Sequence, residues 1–354
     1  MGSEFLPLEL IEEILCRLPV KELLQFRCVC KCWNSLICDP KFHEKHLTYS
    51  TTLAFHFINY FNPSSKFILT SYPIDTLFTN NNNNNNVTTT FTRLEYPQHY
   101  VKGYQYHLLT GLDYFVGSCH GILCLTNKYG TLLLLWNPSI RKYKELPLFQ
   151  RPLNNSGRTD VDFGFGYDHV NHVYKVVAVL SYVSYDVTKT EVKVHTLGTD
   201  FWKSIHEFPF GCVSVAHSGQ FVAGAINWLA YNRSHHSFIV SFDLEKESYQ
   251  QILPPDNTTA CRLGVWKDCM WLISGRDLWL MKEYGNKESW TKLFTISCDF
   301  SKVIDILDDD RVLLEYMDKM IVYNFTNHTF KFTDFEIVWP PQVSVESLID
   351  ITTY

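Results

Sequence analysis

Several groups of residues have the types and spacing that invite chemistry. Cys28, Cys30 and Cys32 form a Cys-x-Cys-x-Cys run, Cys119 adjoins His120, Gly164 and Gly166 form a Gly-x-Gly, and Asp308, Asp309 and Asp310 lie in a row. Clustered thiols bind zinc when four donors close a tetrahedron. On a helix, however, Cys28 and Cys32 share a face while Cys30 points elsewhere, so small buried hydrophobes are the simpler reading. A Cys–His pair makes a nucleophile and its base only if both side chains meet, and on the expected strand neighbours point to opposite faces. Gly164-x-Gly166 lacks the third glycine and the strand-to-helix setting of a dinucleotide site. The aspartates sit between two strands and read as a solvated turn, and His235-His236 reads as a loop tip. No Cys-x-x-Cys pair occurs anywhere. The expectation is a chain with no catalytic residue, no metal and no cofactor.

The elements that would position such residues fall into two textures. Residues 5–47 read as a compact group of short helices. Pro7 suits a first turn, Glu9, Glu12 and Glu13 place negative charge near that end, and Ile11, Ile14, Leu15 and Leu18 follow the spacing of one apolar face. Pro19 stops this helix. A second run, from Lys21 to Ile37, carries Leu24, Val29, Trp33, Leu36 and Ile37 before Asp39-Pro40 breaks it. So small a module holds more Leu, Ile and Trp than short helices can hide. Either it docks onto the rest of the chain or it offers an apolar surface to another protein.

From Thr51 onward the periodicity becomes β-like. Strands are expected over 52–58 and 66–72, then a disordered asparagine tract, Asn80 to Asn86. Between Tyr104 and Val345, segments of roughly 35 to 45 residues repeat a plan of short strands and turns, the signature of propeller blades. Five such segments are legible, and strands before residue 104 or after Phe335 could supply a sixth and close the ring. An irregular β-sandwich is the alternative. Trp136, Trp202, Trp228 and Trp271 read as blade core, and Asn137-Pro138 and Gly164-Phe165-Gly166 as turn and close-packing features.

Composition limits the function classes. Hydrophobic residues are 46% and charged residues 19% of 354, with a net charge of −6 and no long basic run, which disfavours nucleic acid as a partner. No stretch of 18 apolar residues suggests a membrane span, and no signal peptide is expected. Eleven scattered cysteines, an odd number, fit free thiols in a reducing compartment, cytosol or nucleus.

Two resemblances bear on function. Leu6-Pro7-x-Glu9-Leu10-Ile11, continuing Ile14-Leu15-x-Arg17-Leu18-Pro19-Val20-Lys21-x-Leu23-Leu24-x-Phe26-Arg27-Cys28-Val29-Cys30-Lys31-x-Trp33, resembles the plant form of the F-box. That resemblance implies docking to a Skp-type adaptor and, through it, to a cullin of a ubiquitin ligase. By position in the motif it implies Leu6, Pro7, Ile11, Ile14, Leu15, Leu18, Pro19, Leu23, Leu24, Val29, Cys30 and Trp33 as the docking surface or its immediate support, with Leu18, Val29 and Trp33 the first candidates for internal core. Gly117 to Leu125, Leu135 to Lys142, Gly164 to Asp168 with Tyr174 to Val177, and Asn227-Trp228-Leu229 are similar to the plant F-box-associated domain. It is described as kelch-like, yet this chain has no Gly-Gly doublet and no Trp-Asp dipeptide.

The expected architecture is α+β and multidomain. A small helical F-box (1–48) is followed by connecting strands (49–103) and then by a large all-β, irregular propeller-like domain (104–345). The expected function is a non-catalytic substrate-recognition subunit, with no RING spacing or thioester cysteine of its own. Candidate substrate loops are Tyr96 to Tyr106, Asn154 to Asp160, Ser181 to Thr188 and Tyr231 to His236. The alternative is a propeller enzyme or glycan-binding module whose N-terminal helices dock internally.

Overall fold

Prolines divide the N-terminal module. Helix α1 (Leu8–Leu15) starts at Pro7, whose carbonyl accepts from Leu10 and Ile11, and α2 (Val20–Phe26) starts at Pro19, whose carbonyl accepts from Glu22 and Leu23. In the computed structural model, which describes residues 6–50, 52–61, 66–74, 92–95, 114–127, 129–149, 158–183, 188–205, 208–209, 212–232, 234, 236–255, 260–308, 310–336 and 341–354, the expected second run is two helices. Cys30 is extended and its Sγ accepts from Trp33 N at 3.4 Å, capping α3 (Lys31–Ile37) and ending the run from α2. Asp39 then caps α4 (Pro40–Tyr49) through Lys41 N at 2.8 Å, so Asp39-Pro40 opens a fourth helix as well as closing the third. Leu15, Cys16, Val20, Leu23, Ile37 and Phe42 form the module's core.

Among the described residues the β region has 24 strands. The first sheet holds β1 (Leu53–Phe61), β2 (Lys66–Pro73) and β3 (Thr92–Glu95). The second holds β4 (Tyr114–Cys119), β5 (Ile122–Thr126), β6 (Leu133–Asn137) and β7 (Lys142–Glu145). The third holds β8 (Arg158–Asp168), β9 (Val173–Val183), β10 (Thr188–Thr196) and β11 (Lys203–Ile205). The fourth holds β12 (Cys212–Val222), β13 (Ala225–Asn232), β14 (Ser237–Asp243) and β15 (Ser248–Ile252). The fifth holds β16 (Ala260–Trp266), β17 (Cys269–Ser274), β18 (Asp277–Met281) and β19 (Trp290–Thr295). The sixth holds β20 (Lys302–Ile306), β21 (Arg311–Tyr316), β22 (Lys319–Asn324) and β23 (Thr329–Glu336). The last strand, β24 (Gln342–Val345), pairs antiparallel with β1, so the first sheet also has four strands, in the order β24-β1-β2-β3.

Each sheet buries one face on the next. Ile58 and Leu69 of the first meet Leu125 and Leu134 of the second, and Leu133 and Leu135 meet Phe163 and Phe165 of the third. Val177 and Val179 meet Ile226 and Trp228, Leu229 and Ile239 meet Leu263 and Leu272, and Ile273 and Leu278 meet Val312 and Leu314. Phe55 and Phe57 then meet Leu313 and Val322, which returns to the first sheet. The sheets therefore form a closed six-membered ring, and the strands on both sides of 104–335 supply the sixth blade. Because sheets within the ring are covered on both faces, their middle strands read as unbroken apolar runs such as Leu133–Trp136. Each fully buried aliphatic or aromatic side chain contributes about 1.5–3 kcal/mol of burial free energy.

At one point two blades touch through backbone. Gly164 of β8 and Gly219 of β12 form a single parallel bridge that joins the third and fourth blades into one eight-stranded sheet. A Cβ on Gly164 would lie 2.3 Å from Ile226 Cγ2, and one on Gly219 2.4 Å from the same atom, so only glycine permits the approach. Polar bonds join other blades. Trp202 Nε1 donates to Pro147 O at 3.1 Å, Trp290 Nε1 to Leu253 O at 3.0 Å, and Tyr284 OH to Asn227 Oδ1 at 2.8 Å. Trp136, Trp228 and Trp271 are buried blade core, as expected, whereas Trp202 is half-buried and serves as one of these ties.

The ring's closure carries a titratable group. His56 on β1 is buried, its Nε2 2.8 Å from Ser344 Oγ on β24, and burial pushes its pKa down to about 3. With the folded pKa below the unfolded one, this stabilisation is complete above the ordinary histidine pKa and is lost as pH falls from there toward 3. Urea unfolding should show His56→Gln losing less stability on acidification than wild type, by up to about 1.4 kcal/mol per pH unit below about pH 6.5. Equal acid sensitivity of the two proteins would remove His56 from the closure.

Candidate functional site

Helix α1 is apolar on two sides. Leu15 faces the module's core at 1% exposure, with Ile11 half-buried beside it, while Leu10 and Ile14 form a separate ridge at 51% and 54%. Leu6, which precedes α1, is exposed as well, and so are Leu8 and Val29. The third side carries Glu12 and Glu13, both bound by Lys45 Nζ of α4, at 2.8 and 2.5 Å. His46 Nε2 lies 2.9 Å from Leu18 O, and Phe26 and Trp33 meet edge to face at 5.6 Å. The core is thus complete without the ridge, which stays open to solvent.

The twelve residues proposed from the motif divide by burial. Leu6, Pro7, Ile14, Pro19, Val29 and Cys30 are exposed. Ile11, Leu18, Leu24 and Trp33 are half-buried, and Leu15 and Leu23 are core. Val29, expected as a candidate for internal core, is instead among the most exposed apolar residues, because it lies in the turn that ends α2. Leu8 and Leu10 were not singled out by the motif reading. The four-residue spacing of Leu10 and Ile14 within α1 is the signal that places them on one ridge.

The groups that invited chemistry do other work. Cys28, Cys30 and Cys32 are exposed free thiols rather than small buried hydrophobes, since the break between α2 and α3 turns them outward. Among the described residues no three metal-ligating side chains cluster. Cys119 ends β4, and burial pushes its thiol pKa up, away from thiolate. His120 does not continue the strand. With Gly121 it makes a two-residue hairpin turn, both at positive φ, and its Nδ1 lies 3.2 Å from Tyr174 OH. Burial, and then His169, lower its pKa to about 4. Asp308 is held by Arg311, with Nε at 2.7 Å, and Asp310 accepts from Asn324 Nδ2 at 2.7 Å. Asp309, His235 and the asparagine tract 80–86 lie outside the described residues.

The ring has two unlike faces. The helical module enters at Leu53, directly opposite Val345 in the β1–β24 pair, so it shares a face with the turns at His120-Gly121, Ala223-Gly224 and Lys267-Asp268. Antiparallel strands reverse at each turn, so the blade-to-blade connections emerge on the opposite face. The strand ends that flank all four candidate loop segments, at Glu95, Arg158, Val183–Thr188 and Asn232–Ser237, open on that far face. Much of those segments lies outside the described residues.

Residues 4–45 match the F-box domain model, and residues 74–317 match the model of the F-box associated beta propeller domain. The chain belongs to the F-box proteins with an associated propeller. An Arabidopsis thaliana F-box/kelch-repeat protein is 33% identical over 350 residues, covering 92% of this chain and 90% of that protein. The F-box protein CPR1 of the same plant is 27% identical over 358 residues, covering 90% of this chain and 81% of its own length. Both comparisons span box and propeller together.

The two faces of α1 in the box should respond differently to truncation. Leu15→Ala should cost about 2–5 kcal/mol of box stability and Ile14→Ala less than about 0.5 kcal/mol, read from denaturant-dependent hydrogen exchange of box amides. Equal losses would mean that the ridge is core.

Proposed function

We propose that this F-box protein is the substrate-recognition subunit of an SCF-type ubiquitin ligase. The observation that carries the reading is the exposed ridge of Leu10 and Ile14, with Leu6, Leu8 and Val29 also exposed, on a module whose own core is complete without them. A helical apolar ridge of this kind fits a groove on a Skp-type adaptor, which links in turn to a cullin. Of the motif residues, Leu6, Pro7, Ile14, Val29 and Cys30 make direct contact, while Leu15 and Leu23 hold α1 and α2 in place beneath them. The chain performs no chemistry itself. Its far face presents a protein target, and a separate enzyme transfers ubiquitin within the assembly, so that tethering replaces a chance encounter. The described cysteines are free thiols, in keeping with a cytosolic or nuclear setting.

Co-purification of the full chain with a Skp-type adaptor tests this. Wild type should bind, and Leu10→Asp with Ile14→Asp should weaken binding by at least about 2 kcal/mol, roughly thirtyfold, while the propeller's urea midpoint is unchanged. A folded wild-type chain that ignores the adaptor, or a variant that binds as well as wild type, would refute the assignment.

A further inference from the structure

The segment after β24 runs between box and propeller and serves both. Alternate side chains of an extended backbone point opposite ways. On one side, Glu346 and Leu348 serve the box. The Glu346 carboxylate accepts from the backbone of Val20, at the start of α2, and Leu348 is buried in the box core with Leu15, Val20 and Phe42. On the other, Ser347 is fully buried on the ring, and Ile349 packs with Val116, Cys119 and Leu135. Backbone bonds fix the same strap, Ser50 Oγ donating to Glu346 O at 2.9 Å and Glu346 N to Thr52 O at 3.0 Å.

Two neighbouring propeller side chains hold this strap: Ser139 Oγ accepts from Ser347 N at 3.4 Å, and Asn137 makes the larger set of bonds. Asn137, at 0% exposure, donates through Nδ2 to Ser347 O at 3.1 Å, Ser347 Oγ at 3.0 Å and Ile349 O at 2.9 Å. Its Oδ1 accepts from Ser139 N at 3.0 Å, which fixes the amide and with it the turn that brings Ile140 against the box core. A Cβ on Gly121 would lie 2.8 Å from Ser347 Cβ, so the strap is laid directly on the β4–β5 hairpin.

We propose that Asn137 is a positioning residue for ubiquitin transfer, fixing through the strap the orientation of the box relative to the propeller's far face. The proposal rests on the ligase reading above. A single short link between Ser50 and Leu53 leaves the angle between two bodies free, and a second, clamped connection removes that freedom. Transfer to a held target depends on such geometry, since small misplacements cost large factors in rate.

The test uses the full chain with fluorophores at exposed Glu44 and Glu245 and a lysine-bearing tag inserted at Gly275, a far-face turn where an added Cβ meets nothing within 4 Å. Asn137→Asp keeps the acceptor for Ser139 N but sets a carboxylate against the carbonyls of Ser347 and Ile349. Ile349→Ser releases the strap from its ring side, leaving the box core untouched, and carries the test if the first variant fails to fold. Each should broaden the distribution of label distances, leave adaptor affinity within about twofold, and cut transfer to the tag about tenfold or more in the reconstituted ligase. The double variant should be no worse than either single one. Unchanged distances and transfer, despite faster hydrogen exchange at 347–349, would overturn the proposal. So would a fall in transfer that only tracks loss of the propeller's urea stability. A wild-type chain that binds no adaptor would overturn the ligase reading instead, and the label distances would still decide whether Asn137 sets the box's orientation.

Discussion

The pairing of β24 with β1 is the constraint on which the molecule depends. Residues about 290 positions apart are brought side by side, Leu53 opposite Val345 and His56 opposite Gln342. Without this pair the first sheet has a bare inner edge, and the sixth and first blades lack the geometry to cover Phe55, Leu313 and Val322. The same pair sets where the box stands, because the chain enters the ring and leaves β24 at one end of it. Fold closure and domain placement are therefore one structural event.

Around that closure the ring is held by a division of labour between apolar faces and isolated polar ties. The faces supply the bulk of the free energy and are interchangeable in kind, Leu, Ile and Val recurring at each contact. The ties are specific. Asn227, Tyr284, Trp202 and Trp290 each bond a neighbouring blade, and Asn137 bonds the strap. Buried amides and indoles of this kind cost stability if left unpaired, so they fix one arrangement among the many that greasy sheets would tolerate.

Much of this was legible in the sequence, and what was missed has physical reasons. The box and the repeating β plan stood out because helical and strand periodicities differ. The hairpin turn at His120-Gly121 was hidden inside an expected strand, and those at Ala223-Gly224 and Lys267-Asp268 were not singled out. Two-residue turns at positive φ need little polar sequence when both flanking strands are apolar, and only Gly121 and Gly224 hint at them. The break between α2 and α3 rests on a cysteine cap, an unusual N-cap residue that propensity does not flag. In α1, apolar residues cover two sides, and spacing alone does not say which side the core takes, so Leu15 and Ile14 looked alike. Asn137 read as part of a turn, which it is, but its partners at 347 and 349 are more than 200 residues away.

The closing strand also imposes an order in time. As the chain leaves the ribosome the box emerges before the ring, with Leu10 and Ile14 already in place, while β1 waits for a partner some 290 residues downstream. Contacts so distant in sequence are slow to form, and unpaired edges are prone to wrong pairings in the interval. Until residues 342–349 have been made, the box also lacks Leu348 from its core and Glu346 from the start of α2. The final form of the box thus waits for the strand that closes the ring.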